Sequence, residues 1–498
     1  MGLYTRITRS WLESRFQKRN AQGIYQAHMP VYGVGQVDCE GNHLGRLARI
    51  LRLLRELDGL RFSTLLDVGG AEGYLPWLAT RIFGAEAISS DLSLQACLRA
   101  KELFGLPSLA LECNKLPFPD KSIDVVVCSE VIEHVENPVE TILELQRVAR
   151  VAVLLSTEEV HHDREAIDRY LFTRPGWPHM ERNLFHGDDV AACFPGAALR
   201  PQCDRDPPGE LPIAAFAREW LLANTREQTL DRGCKGVVVL WAADLTARAP
   251  RGHTDEQLVD LLLHSTIARG ASASPPRLQS LLQRLCDPDS MQPLSLRGDR
   301  VCADGGASYP VVEGVLDFVR LDRPAPTRAD LVDRLRVEAP ARSAALLALR
   351  DRLYLPDRWT NDRFDFRVKE DQRGFWVNDQ LRDRGDGVGF SWQSLGADPW
   401  IVTPCIQRSL REVRIEMRVH APGHPAKHGV GQVFWKGPAD DTFDEARSVK
   451  FLVPNDGQTH VHCITLEGHP MLPLEVQWLR IDPIDGACEV DLISLDLL

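Results

Sequence analysis

The chain has 498 residues, a formal net charge of -12 and 44% hydrophobic residues. That length suits roughly two to four domains with proper cores, and the acidic total argues against a nonspecific grip on nucleic acid. Its 12 cysteines stand singly with no C-x-x-C pair, so reduced, mostly buried thiols are expected rather than a disulfide framework.

Met1 to Asn20 carries charges throughout, and no later apolar run approaches a membrane span, which predicts a soluble, cytoplasmic protein. Residues 1–42 mix aromatic, basic and turn-forming side chains. From His43 to Asp58, Leu44, Leu47, Ile50, Leu51, Leu54 and Leu57 recur at helical spacing and predict an amphipathic helix packed on a sheet. Leu65-Leu66-Asp67-Val68 then reads as a short buried strand, and Gly69-Gly70-Ala71-Glu72-Gly73 as a tight turn that opens a helix. Glycines there let backbone approach a ligand, and the following helix offers unpaired N–H groups. A dinucleotide site wants G-x-G-x-x-G, whereas here the small residues fall at 69, 71 and 73.

Ala87-Ile88-Ser89-Ser90-Asp91 is a second apolar strand with an acidic end. Strand-like runs at 64–68, 86–90, 123–128 and 151–156 alternate with helical stretches at 73–83, 92–104 and 138–149, which predicts a parallel sheet covered on both faces. Ligands in such sheets sit beyond the carboxyl ends of the strands, where Asp67, Asp91 and the Glu130 turn all lie.

The turn at Asp67 resembles motif I of class I S-adenosylmethionine-dependent methyltransferases, D-x-G-x-G-x-G, with Ala71 at the middle glycine. The run from Leu116-Pro117-Phe118-Pro119-Asp120 through Ser129-Glu130-Val131-Ile132-Glu133-His134-Val135 is similar to a later stretch of the same family. The resemblance implies a Rossmann-like fold with a mainly parallel seven-stranded sheet, a leader that caps the pocket, and S-adenosyl-L-methionine as cofactor. It implies that Asp67 with Gly69, Gly70, Ala71 and Gly73 holds the amino acid part, Asp91 with Leu92 the ribose, and Glu112 with Cys113 the adenine edge. Ser129 and Glu130 join the cofactor-binding set. Family members usually carry a Pro-Gly-Gly turn before the fifth strand. Arg147-Val148-Ala149-Arg150-Val151 runs straight through, which reads as a shortened loop.

Residues 157–215 form a polar and aromatic insertion, in the place where the family builds its acceptor pocket. An oxygen nucleophile gains from a base within reach, and His134, His161, His162 and His186 are the candidates, each weighed against a packing role. Glu158, Glu159, Glu181 and Arg182 read as solvated or paired, and Gly236 to Ala242 as a late strand closing the sheet.

A helical linker is expected over 249–283 after a first domain at 1–248. Cys286-Asp287-Pro288-Asp289, Cys302-Ala303-Asp304-Gly305 and Tyr309-Pro310 then resemble a small zinc-ribbon module, 284–320, with Asp289 and Gly305 at two of the ligand positions. A closed zinc site needs four donors and glycine has no side chain, so no metal is expected. A helical connector (321–357) precedes short strands with period-two alternation, such as Ile415, Met417 and Val419. These predict an antiparallel β-sandwich over 358–498 that resembles carbohydrate-binding jelly-roll modules. Trp392, Trp400, Trp435 and Trp478 pack its core or stack on sugar rings, according to their exposure.

The expectation is thus a multidomain α/β enzyme that methylates an oxygen of a glycan, glycolipid or secondary metabolite. The alternatives are a binding or assembly protein that keeps the cofactor fold, and a methyltransferase acting on RNA or protein. The partner is a small-molecule or glycan acceptor, with no membrane span and no nucleic acid.

Overall fold

Short apolar runs closed by an acidic or glycyl residue become strands of one sheet, and the periodic stripes between them become its helices. The computed structural model describes residues 2–35, 41–157, 160–161, 163–173, 179–202, 213–224, 236–269, 278–304, 306–353, 361–378, 381–385, 387–396, 398–404, 406, 408–437, 440 and 442–498. Glu158, Glu159 and His162, three residues singled out in the insertion, lie outside them.

The elements begin with α1 (Leu3–Arg15), α2 (Gly41–Leu57), β1 (Thr64–Val68), α3 (Tyr74–Phe83), β2 (Glu86–Asp91), α4 (Leu94–Phe104), β3 (Ser108–Ala110), β4 (Ile123–Ser129), α5 (Pro138–Val148) and β5 (Ala149–Thr157). The insertion contributes β6 (Val160–His161), α6 (Arg164–Thr173), β7 (Phe185–His186), α7 (Gly187–Cys193), β8 (Ala198–Gln202) and α8 (Ile213–Ala223), before β9 (Gly236–Ala242). Then come α9 (Asp255–His264), α10 (Leu278–Leu282), β10 (Leu294–Arg297), β11 (Arg300–Ala303), β12 (Ser308–Val312), β13 (Val315–Asp317), α11 (Arg328–Glu338) and α12 (Ser343–Leu353). Residues 1–167 and 183–354 form one unit, and 168–182 with 355–498 a second.

In the first unit β1 lies between β2 and β4, with β3 outside β2 and β5 outside β4, all parallel. Antiparallel β9 and β8 follow β5, which gives the expected seven strands in the order 3-2-1-4-5-9-8. The stripe from Leu44 to Leu57 is buried in the core with Tyr74, Leu78 and Trp220, so α2 covers the sheet as its spacing predicts. Helix α5 ends at Val148 and β5 begins at Ala149, so the loop read as shortened has no residues at all.

The sheet does not stop at seven. Strand β13 pairs parallel with β3, Leu316 opposite Leu109 and Asp317 opposite Ala110, and β12, β11 and β10 continue antiparallel to an eleven-stranded sheet. Cys97, Ala110 and Val315 pack together with Leu94, Leu98 and Val319, so α4 covers the joint between β3 and β13. The ribbon-like stretch is therefore a continuation of the same sheet, parallel at β13 and antiparallel beyond it. Its turn is held by hydrogen bonds: Asp287 accepts from the Ser290 N–H at 3.0 Å and from the Ser290 and Tyr309 hydroxyls. Cys286 lies 3.8 Å from the Met291 sulfur and Cys302 3.4 Å from the Ser308 hydroxyl. Among the described residues no group of three or more His, Cys, Asp or Glu is placed to hold a metal ion, and no helix is long and apolar enough to cross a membrane.

The second unit is antiparallel. β14 (Arg363–Asp365), β15 (Trp376–Val377), β16 (Leu381–Asp383), β17 (Phe390–Ser394), β18 (Ile401–Val402), β19 (Glu412–His420), β20 (His428–Lys436), β21 (Ser448–Pro454), β22 (Thr459–Thr465), β23 (Trp478–Asp482) and β24 (Glu489–Leu497) divide between two sheets. One runs β16-β17-β24-β19-β22 with β14 also on β24, and the other β15-β18-β23-β20-β21. Ile415, Met417, Val419, Leu492 and Leu495 from the first meet Ile401, Val433, Trp435, Leu479 and Ile481 from the second in a single core. Two sheets facing one apolar layer is what period-two alternation on both requires.

Candidate functional site at the tips of β1, β2 and β3

Asp67 is the next-to-last residue of β1 and Asp91 the last of β2, and the parallel register sets Val68 opposite Ser90. The turn after β1 is tied to β2: the N–H groups of Gly69 and Gly70 both donate to the Ser90 carbonyl at 2.8 Å. Gly69 (φ 79°) and Gly73 (φ 83°) take left-handed backbone, which glycine alone adopts without strain. Added side-chain carbons would meet Val131 at 69, the Asp67 carboxylate at 70 (2.6 Å) and Ala100 at 73 (2.7 Å).

Ala71 sits at φ 50°, left-handed backbone for a residue that carries a Cβ. Its N–H donates to Asp91 Oδ2 at 3.1 Å, and the Ser93 N–H to Oδ1 at 2.9 Å, so Asp91 links the turn to the start of α4. Left-handed alanine costs roughly 1–2 kcal/mol and glycine roughly 0.5–1 kcal/mol in chain entropy. Ala71→Gly is therefore expected to stabilise the fold by about 0.5 kcal/mol, read as a higher midpoint in urea.

Both acids are buried, and burial raises both. Asp67, with the neighbouring charge of Asp91 adding to the effect, is pushed up to about 8. Asp91 is raised to about 6, its two N–H donors opposing burial. Among the described residues nothing donates a hydrogen bond to the Asp67 carboxylate, whose raised value comes from burial and charge repulsion alone. Ser89 Oγ, Glu112 Oε1 and Asn114 Oδ1 are likewise buried without a hydrogen-bond partner. Glu112 follows β3 and is raised by burial, against the pull of the Arg323 guanidinium 3.6 Å away. Cys113, up to about 11 through burial, lies 3.3 Å from the Thr141 hydroxyl. Leu92 is half-buried in the bend after β2.

Ser129 and Glu130 face β5. The Ser129 hydroxyl is 2.8 Å from that of Ser156, which donates to Glu130 Oε1 at 2.7 Å, while Arg49 stands 3.6 Å from Oε2. His134 is half-buried in the turn beyond, its N–H bonded to the Val131 carbonyl at 2.9 Å. Asn183 holds that turn through the Ile132 and Val135 carbonyls, at 2.9 and 2.8 Å. His161 is paired with His186 in the β6–β7 ladder. The His186 ring accepts the Asp188 N–H at 3.1 Å and so caps α7.

Several residues here carry no sequence signal. Glu72, in the turn itself, is fully buried and accepts the Met29 N–H at 2.6 Å and the Tyr25 hydroxyl at 3.3 Å, which fixes the leader over the turn. Glu13 of α1 accepts from the Ser93 hydroxyl (3.0 Å) and the Leu94 and Gln95 N–H groups (2.9 Å each), capping α4 from 80 residues away. Local composition reveals neither.

The orphaned acceptors fit the cofactor that the resemblance implies. A desolvated carboxylate suits an ammonium group, and a buried carboxylate oxygen suits an amino group on a purine edge. Residues 66–155 match a protein-family model described as a methyltransferase domain. No curated protein matches the chain. Among solved structures it is similar to geranyl diphosphate C-methyltransferase from Streptomyces coelicolor A3(2), solved with Mg2+, geranyl diphosphate and S-adenosyl-L-homocysteine (18% identity, 49% of this chain and 98% of that one, TM-score 0.31). A S-adenosylmethionine-dependent methyltransferase from Aquifex aeolicus shows 18% identity over 41% of this chain and 99% of that one, at a TM-score of 0.26. Phosphoethanolamine N-methyltransferase 2 of Haemonchus contortus shows 14% identity over 39% of this chain and 51% of that one, at 0.28. The chain contains a class I S-adenosylmethionine-dependent methyltransferase domain.

Proposed function

We propose that the enzyme methylates an oxygen of a glycan, glycolipid or secondary metabolite, with Asp67, Asp91 and Glu112 holding the cofactor. The single observation that carries the cofactor half is the Asp67 carboxylate, buried at the tip of β1 with no donor among the described residues. S-adenosylmethionine supplies, when bound, a methyl group on a positively charged sulfur. The chain's own work is alignment and exclusion of water. Asp67 binds the ammonium, with the Gly69–Gly73 backbone lying close against the amino acid part, and Asp91 receives the ribose hydroxyls. Glu112 receives the purine amino group, beside Cys113. Ser129 and Glu130, wired to Ser156, hold the far wall.

For the base, His134 in the turn after β4 is favoured, since His186 is engaged as the cap of α7. The acceptor half draws on the second unit, read as a jelly-roll-like sandwich, and exposure narrows it. Trp392, Trp435 and Trp478 are buried at 8%, 0% and 3% exposure, so none of them offers a ring face. Trp400 is half-buried, edge-on to Trp376 at 4.5 Å, with Arg480 stacked 5.2 Å from its ring and paired to Asp398 at 3.1 Å. An aromatic surface rimmed by charged hydrogen-bonding groups suits a sugar ring.

A glycan array followed by calorimetry tests this. The full chain is expected to retain an oligosaccharide, and Trp400→Ala with Trp376→Ala to weaken that binding about thirtyfold, in line with about 1 kcal/mol for each of the two aromatic contacts. Retention unchanged in the double variant would remove the second unit from acceptor binding. Transfer of labelled methyl to the retained sugar completes the test.

A further inference from the structure

Because β13 runs beside β3, the chain leaving the ribbon-like stretch passes directly over the tip of β3. The Phe318 N–H donates to the Ala110 carbonyl at 2.7 Å, and the Arg320 backbone beyond it opposes the burial that raises Glu112. Arg323 follows. Its side chain is 9% exposed, with one nitrogen 3.6 Å from Glu112 Oε1 and another 3.1 Å from Asp289 Oδ2. Lys115 and Arg320 also lie within 4 Å of Asp289, at 3.9 and 3.8 Å. Asp289 occupies one of the positions where a zinc ribbon has a ligand. Here it holds a guanidinium.

We propose that Arg323, supplied from beyond the methyltransferase domain and held by Asp289, is a positioning residue of the cofactor site that fixes Glu112 to receive the amino group of the purine. The inference rests on the proposed role of Glu112. A carboxylate at this depth needs a counter-charge to stay ionised, and a planar guanidinium bridging two carboxylates sets its orientation. The pairing leaves Glu112 Oε1 without a hydrogen-bond donor, and so available to one. The same stretch reaches the neighbouring strand tip. Asp317 pairs with Arg9 at 2.7 Å, Arg9 with Glu13 at 3.3 Å, and Glu13 caps the helix that starts just after Asp91. The β2 and β3 ends of the cleft are thus both braced by residues that the family match at 66–155 does not include.

The test is a ratio of affinities measured by calorimetry on the full chain. S-adenosylhomocysteine is compared with S-inosylhomocysteine, which carries an oxygen in place of the purine amino group. Wild type is expected to prefer the adenosyl compound about thirtyfold, as loss of a hydrogen bond to a charged acceptor implies. In Arg323→Gln the preference is expected to fall to about threefold, and Arg323→Lys to restore part of it. Asp289→Asn, which leaves Arg323 in place, shows the same change at smaller size, so the result does not depend on one variant folding. A merely structural role would weaken both ligands equally, and an unchanged ratio in Arg323→Gln and Asp289→Asn overturns the inference. Binding of neither compound by wild type overturns the cofactor reading itself, and equal binding of the two by wild type overturns the role of Glu112.

Discussion

Asp67→Asn is expected to weaken S-adenosylmethionine binding about 100-fold while leaving the unliganded protein at least as stable as wild type, since removing one partner of a buried charge pair costs roughly 2–5 kcal/mol. The two halves have one cause. The carboxylate is buried without a hydrogen bond and beside Asp91, so its proton is held up to about 8, against roughly 3.9 for an exposed aspartate. Being raised, it contributes stability that is fully present below the unfolded value near 4 and is lost as pH rises through about 8. Asparagine has no proton to lose, so the variant's advantage in denaturant should grow from pH 5 to pH 8. Binding runs the other way. An ammonium ligand favours the ionised carboxylate, so wild-type affinity should climb between pH 6 and 8, by at most about tenfold per unit. It should then fall as the ligand's own amino group, with a pKa of roughly 7.7–8.0, loses its charge. Calorimetry across that range checks both limbs. If Asp67→Asn keeps the rising limb and the affinity, Asp67 does not hold the amino acid part.

Gly69→Ala is the second large effect, here on the fold. A side chain at φ 79° costs roughly 1–2 kcal/mol, and a Cβ at this place runs into Val131, where overpacking costs roughly 1–3 kcal/mol more. The sum, about 2–5 kcal/mol, is a large part of a domain's stability and should lower the urea midpoint accordingly. The two parts can be separated. In a Val131→Ala background the collision is relieved while the left-handed backbone remains, so Gly69→Ala should there cost only about 1–2 kcal/mol. An equal loss in both backgrounds would place all of the cost in the backbone. Gly69 also fixes the turn through its N–H to Ser90, so whatever loss remains should carry over to cofactor affinity.

What the sequence shows of this fold follows from what is local. The strand from Thr64 to Val68, the helix from Pro138 to Val148 and the strand from Gly236 to Ala242 are carried by their own apolar runs and punctuation, and they lie where those runs predict. Strand β3 is only Ser108–Ala110, too short for any period, and passes unnoticed. Helix α1 buries Tyr4, Ile7 and Thr8 at helical spacing, yet its basic and aromatic mixture reads as irregular leader. Asp67 and Asp91 are legible because each ends its own strand. Glu13, Glu72 and Arg323 are not, since what they do depends on partners 43 to 211 residues away. The tryptophans of the second unit show the same limit: period two places them on a face, and only the packed sheets say which face is covered.

The pairing of β13 with β3 also decides where this chain can be divided. A boundary near residue 248, natural from composition, would strip the Val315–Asp317 backbone from beside Ser108–Ala110 and bare a row of amide and carbonyl groups flanked by Leu109 and Cys97. Such an unsheathed margin is a template for a neighbouring molecule's strand, so the catalytic core excised there would be expected to stick to itself. A fragment that keeps that border covered runs on past Asp317, and this enzyme's core is longer than its family signature.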